Sequence, residues 1–219
     1  MALPFKPSKE LELKLKREGS WNTVKEYAWG LRFFETIVMY LRDRKYKKYR
    51  ENIHTWVKEN TSLPSDVMKW ASNLNRTTSR DAKMRQILRY VNKEIEYVTD
   101  SDNWKAVEYW ASPKQTCMNY QGDCEDGAML IYSIAKYVGI PDDCIWLVAS
   151  DVQGGGHCYV VYEAEDGQEY PIDWCYWFNT SVNMDVTYWM RYEYYQGTRE
   201  WFRVNSTGSW KPKSNKVFK

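Results

Sequence analysis

The chain has 219 residues, of which 43% are hydrophobic and 27% charged, with a formal net charge of +2. That length suits one sizeable domain with an extension, and the near-neutral balance gives no case for a nucleic-acid or membrane partner. Five cysteines without a C-x-x-C pair, and only two histidines, exclude the usual structural zinc arrangements and imply free thiols in a reducing, cytoplasmic setting.

In chain order, residues 1–20 are polar and basic and read as an extended arm. The opening "MALPFKPSKELELKLKREG" has no continuous apolar segment, so it is not a secretory signal, and no apolar run approaches the roughly 20 residues of a membrane span. From Trp21 to Asn60 the pattern is helical, with Tyr27, Leu31, Phe34, Val38 and Leu41 at steps of three and four. The basic run "RDRKYKKYR" at 42–50 reads as the solvated face of this helix rather than as a nucleic-acid patch. Pro64 in "TSLPSD" biases Leu63 to an extended conformation and ends the helical segment. The expected organisation is therefore a basic, helical extension over 1–60, a core over 61–178, and an aromatic-rich extension over 179–219 packed on that core.

Within the core, Ser79 can cap a helix over Ser79–Glu96 whose apolar stripe is Met84, Ile87, Leu88, Val91 and Ile95. A further helix is predicted over Asp123–Val138, stopped by Gly139 with Pro141 behind it. Beyond Pro141 the period changes. "CIWLVAS", "HCYVVYEAE" and "QEYPIDWCYW" read as strands rich in Val, Ile, Tyr and Trp. Helices followed by strands give an α+β class, helices packed on an antiparallel sheet.

The chemistry centres on "GDCEDGAML" at 122–130. With Asp123 as N-cap, Cys124 is the first helical residue and Asp126 the third, a capping-box-like arrangement. The helix dipole there favours a thiolate by about 0.3–1 kcal/mol, up to ~2 when partly buried, whereas each pKa unit requires about 1.4 kcal/mol. The dipole alone therefore cannot ionise a thiol set among carboxylates, and a cation must sit against the sulfur. This reading has Asp123, Glu125 and Asp126 point away as capping or surface groups.

His157 is the candidate cation, because it opens the strand "HCYVVYE" behind three glycines that let another group approach. A strand histidine hydrogen-bonded for structure fits the same spacing. Hairpin parity supplies the third member. "EDG" at 165–167 suits a three-residue loop closed by a left-handed glycine. In that register Ala164 opposes Gln168 and Tyr159 opposes Asp173, so His157 and Asp173 share a face. A two-residue turn would put Asp173 on the other side. Pro171 removes one ladder donor, which suits an edge or a bulge. Asp173 would then orient the imidazole, whose other nitrogen faces Cys124.

These residues resemble the transglutaminase-like superfamily, and most closely the bacterial transglutaminase-like cysteine peptidases. "GDCEDGA" is similar to the family's G-x-C-x-D-x-A motif, "YVGIPDDCIWLVAS" to the strand entry after it, "GHCYVVYE" to the histidine strand and "YPIDW" to the aspartate strand. "NKEIEYVTDSDNW" and "SPKQT" resemble the approach to the cysteine. The likeness covers about residues 63–178, and it departs from the family at Cys158, where an aromatic residue often follows the histidine. The resemblance implies a papain-like core with Cys124 as nucleophile, His157 as base and Asp173 as orienting acid. It also implies an oxyanion donor beside the Cys124 N–H, for which Gln115 is the choice ahead of Asn119 and Trp104. The expected activity is that of a cysteine peptidase or amidase working through a thioester acyl-enzyme on a protein or peptide, with no cofactor and no metal. The alternatives are a protein-glutamine transglutaminase, with an amine acceptor in place of water, and a non-catalytic binding module, in a phage- or virus-encoded setting.

Overall fold

The structure, a computed structural model, describes residues 47–48, 50–76, 79–152, 155–175 and 199–210. The chain forms two compact units, Met1–Lys48 and Tyr49–Lys219. The amphipathic stripe from Tyr27 to Leu41, residues 42–46 and 49 of the basic run and most of the aromatic tail lie outside the described residues. Within the second unit, helix α1 (residues 50–59) buries Ile53 and Val57. The His54 ring donates to the Asn205 carbonyl at 2.9 Å.

Pro64 is extended at the head of α2 (Ser65–Ser72), as a residue that cannot continue a helix backwards should be. Helix α3 (Arg80–Glu94) starts where Ser79 accepts from the Ala82 N–H, and it buries Met84, Ile87, Leu88 and Val91. After it come the short strand β1 (Glu96–Tyr97), the one-turn helix α4 (Asp100–Asn103) and α5 (Pro113–Asn119). Helix α5 opens with a capping box between Ser112 and Gln115. Strand β2 (Gln121–Gly122) pairs parallel with β1, which returns the chain to the end of α3. Helix α6 (Cys124–Tyr137) runs from there, and every residue from Glu125 to Ala135 is buried. A helix buried on all sides must be enclosed by other elements. The elements around α6 are α2, α3, α5 and the sheet strands β3 and β4.

The five-stranded sheet has the order β5-β4-β3-β6-β7 and is antiparallel throughout. Its strands are β3 (Ile145–Val152), β4 (Gly155–Glu163), β5 (Glu169–Ile172), β6 (Arg199–Val204) and β7 (Ser209–Trp210). The α+β class expected from the element order is the one observed. Strand β5 is an edge, so the donor missing at Pro171 costs the ladder nothing on its outer side. Strand β4 alternates. Cys158, Val160 and Tyr162 face the helices, and the Tyr162 hydroxyl donates to Asp81 of α3 at 2.8 Å. Tyr159 and Val161 join Trp146 and Val148 in a buried cluster on the other side.

The β4–β5 hairpin has the three-residue loop. The Ala164 N–H donates to the Gln168 carbonyl and the Gly167 N–H to the Ala164 carbonyl, both at 2.9 Å. Gly167 takes the left-handed conformation with φ +76°, which an L side chain resists. The ladder then runs Glu163↔Glu169 to Val160↔Ile172, and one step further sets Tyr159 opposite Asp173. Among the described residues no helix is long and apolar enough to cross a membrane.

Candidate active site

His157 and Asp173 meet as hairpin parity requires. The His157 Nε2–H donates to Asp173 Oδ2 at 2.6 Å, and both side chains are buried. The second carboxylate oxygen, Oδ1, accepts from the Cys175 N–H at 2.9 Å. The His157 ring stacks on Tyr159, with centroids 5.7 Å apart. This leaves Nδ1 as the ring nitrogen directed away from Asp173, and an acidic partner on Nε2 strengthens the base at Nδ1.

Cys124 is the first residue of α6, where backbone N–H groups lack helical partners. Its thiol donates to Glu125 Oε2 at 3.0 Å. The link to the His–Asp pair runs through Trp174, whose indole N–H donates to the Cys124 carbonyl at 3.4 Å. A Cβ on Gly127 would lie 2.1 Å from the Trp174 Nε1. Glycine at 127 is what lets the indole, next in chain to Asp173, approach the first turn of the cysteine helix this closely.

The carboxylates around the thiol do not point away, which corrects the reading of them as capping or surface groups. Asp123 makes no side-chain cap bond. Glu125 and Asp126 are 4% and 0% exposed. Gly122 makes room for Asp126, since a Cβ there would stand 2.6 Å from the Asp126 Cβ. Asp126 Oδ1 accepts from the Ala111 N–H at 2.7 Å. The β1–β2 pair then adds Asp100 and Glu108. It does so through the Val98 N–H, which donates to the Gly122 carbonyl at 3.0 Å and holds the chain after α3 beside the cysteine motif. Oxygens of Asp100, Asp123 and Asp126 lie within 4.8 Å of one another, as do those of Asp100, Glu108 and Glu125.

Four of these oxygens, Asp100 Oδ1, Asp123 Oδ1, Glu125 Oε1 and Asp126 Oδ2, are buried without a hydrogen-bond partner. Burial pushes Asp123 up to about 6 and Asp126 up to about 7. Burial, with Asp123 beside it, pushes Glu125 up to about 10. Burial and the Glu125 charge also hold the Cys124 thiol well above its ordinary value. Buried charge without compensation is costly, so this arrangement calls for positive charge. The need for a cation follows from "GDCED" alone. The participation of Asp100 and Glu108 does not, because 15 to 23 residues separate them from the motif and only the parallel β1–β2 pair brings them in.

Gln115, expected as an oxyanion donor, is committed elsewhere. Its side-chain carbonyl accepts from the Ser112 N–H at 2.9 Å to complete the capping box, and its NH2 donates to the Tyr109 hydroxyl at 2.7 Å. The S-P-x-Q pattern at 112–115 carried that signal, since a capping residue followed three positions later by Gln marks a helix start.

None of the curated proteins matches the sequence. Among solved structures the fold is similar to the calcium-bound LapG of Legionella pneumophila, at 18% identity and a TM-score of 0.54, covering 75% of this chain and 88% of that one. Two further LapG structures of the same organism are similar at 18% identity and a TM-score of 0.52. One covers 76% of this chain and 89% of that one. The other, EGTA-treated, covers 75% of this chain and 86% of that one. The family described as bacterial transglutaminase-like cysteine proteinase matches residues 54–209, a span holding the cysteine helix, the histidine strand and the aspartate alike. The chain belongs to the bacterial transglutaminase-like cysteine proteinases and is a cysteine hydrolase of that family.

Proposed function

We propose that Cys124, His157 and Asp173 act as a catalytic triad that cleaves a protein or peptide through a thioester acyl-enzyme. The observation that carries this reading is the buried 2.6 Å bond from His157 Nε2 to Asp173, next in chain to the tryptophan that anchors the Cys124 carbonyl. Strand β5 ends its ladder at Ile172, so β4 carries His157 past the end of its neighbour. That is the flank on which Trp174 holds the mouth of α6, and the reading requires Cys124 Sγ to reach His157 Nδ1 there.

His157 Nδ1 takes the thiol proton as Sγ attacks the scissile carbonyl carbon. The oxyanion is held by the Cys124 N–H at the helix mouth. Collapse of the tetrahedral intermediate breaks the C–N bond, and His157 returns the proton to the leaving amine. Water, deprotonated by the same nitrogen, then releases the acid and regenerates the thiol. Asp173 keeps the imidazole in the tautomer with its proton on Nε2, and it stabilises the imidazolium.

The acceptor separates peptidase from transglutaminase. Incubation with casein and a fluorescent amine, with Cys124→Ala as control, reads both outcomes. Cleavage without labelling supports the peptidase, labelling without cleavage the transglutaminase. Neither outcome with wild-type protein, or cleavage surviving in Cys124→Ala, removes the triad.

A second reading concerns the orphaned carboxylates. Asp100, Asp123, Glu125 and Asp126 offer hard oxygen donors of the kind that hold calcium, the ion carried by the similar LapG structure. Bound there, a divalent cation would supply the positive charge that lets Cys124 ionise.

A further inference from the structure

We infer that His157, Asp173 and Cys175 form a second metal site, selective for a borderline-soft divalent ion such as Zn2+, which blocks the catalytic base when filled. The inhibitory role rests on the reading of His157 as that base; the metal site itself does not. The three side chains offer one nitrogen, one oxygen and one sulfur, all within 4.8 Å of one another. The Asp173–Trp174–Cys175 turn creates the site. The Cys175 N–H bonds back to Asp173 Oδ1 at 2.9 Å, which folds the thiol toward the carboxylate instead of continuing the strand.

The donor set is distinct from the carboxylate cluster around Cys124. That cluster is all oxygen and suits a hard cation, whereas imidazole, thiolate and carboxylate together suit Zn2+. A tetrahedral zinc ion at about 2.0 Å from N and O and 2.3 Å from S holds its donors roughly 3.3–3.6 Å apart. The His157–Asp173 pair, now 2.6 Å apart, must therefore open by only about 0.7 Å as the ion takes the place of the shared proton. Binding releases the thiol proton and moves the imidazole proton from Nε2 to Nδ1, and three protein ligands leave a fourth position for water. An imidazole bonded to zinc at Nε2 and severed from Asp173 no longer serves as the base, so occupancy and turnover exclude each other.

The test uses Co2+ as a spectroscopic stand-in, with calcium in excess to occupy the carboxylate cluster. The protein carries Cys124→Ala, which removes the other half-exposed thiol. A thiolate-to-cobalt charge-transfer absorption should saturate at one equivalent. It should vanish in the doubly substituted Cys124→Ala/Cys175→Ala and Cys124→Ala/Cys175→Ser proteins. In the activity arm, Zn2+ should inhibit the wild type reversibly, with relief by a chelator. Cys175→Ala should retain metal-free turnover and raise the inhibition constant by at least about tenfold. Absorption that persists without Cys175, or no absorption in Cys124→Ala, overturns the proposal. Absorption as described in a wild type with no turnover on any substrate leaves the metal site standing and sinks the catalytic reading instead.

Discussion

Gly127→Ala perturbs the Trp174 contact between the cysteine helix and the segment that carries Asp173. A Cβ at 127 would stand 2.1 Å from Trp174 Nε1, 2.2 Å from Cε2 and 2.7 Å from Cδ1. Carbon contacts settle near 3.5 Å, so the indole must retreat by roughly 1.4 Å. Trp174 is only 1% exposed, and overpacking of this kind costs about 1–3 kcal/mol. The retreat also breaks the 3.4 Å bond to the Cys124 carbonyl. Leaving a buried N–H unpaired costs a further ~1–3 kcal/mol. Alanine returns about 1 kcal/mol through helix propensity. The net loss is about 1–5 kcal/mol, and each kcal/mol shifts the melting temperature of a chain this size by about 2–4 °C. Thermal unfolding followed by circular dichroism should therefore show a fall of about 6–12 °C at the middle of that range. Turnover should fall by about a hundredfold, since a displacement of about 1 Å at a catalytic group has that effect. A variant that melts at or above the wild-type temperature with normal turnover would mean that Trp174 does not bear on the helix as described.

Two further outcomes follow from the same geometry. Asp173→Asn keeps the hairpin but presents the wrong partner to Nε2, so turnover should drop by about 10³–10⁴-fold while the melting curve stays cooperative; wild-type rates would refute the orienting role. In protein stripped of divalent ions, stability should fall as pH rises from about 5 to 8. Asp123, Asp126 and Glu125 titrate higher in the fold than in the unfolded chain, near 6, 7 and 10, against unfolded values of about 4. Between those values the folded state holds the extra protons, and the slope of stability with pH is negative. Calcium at about a hundred times its dissociation constant should restore ~2.7 kcal/mol. A melting temperature that climbs over this interval without calcium would contradict the burial of the three carboxyls.

The sequence by itself determined whatever depends on neighbours along the chain. Period set α3 and α6, and the Ser79 cap set the start of α3. The "EDG" loop, with glycine as its only left-handed residue, set the strand register that pairs His157 with Asp173. A two-residue period turns a loop length into a face, so that pairing needed no three-dimensional information. Only the tertiary structure decided the surroundings of the sulfur. Whether Glu125 and Asp126 faced water or the interior depended on what packs over the first turn of α6. The parallel β1–β2 contact drew Asp100 and Glu108 to the same point from outside the motif. Gln115 was taken up by a local cap before it could reach the site. Local patterns fix the backbone a residue sits on. The electrostatics at a buried group is instead the sum over everything near it in space, most of it distant along the chain.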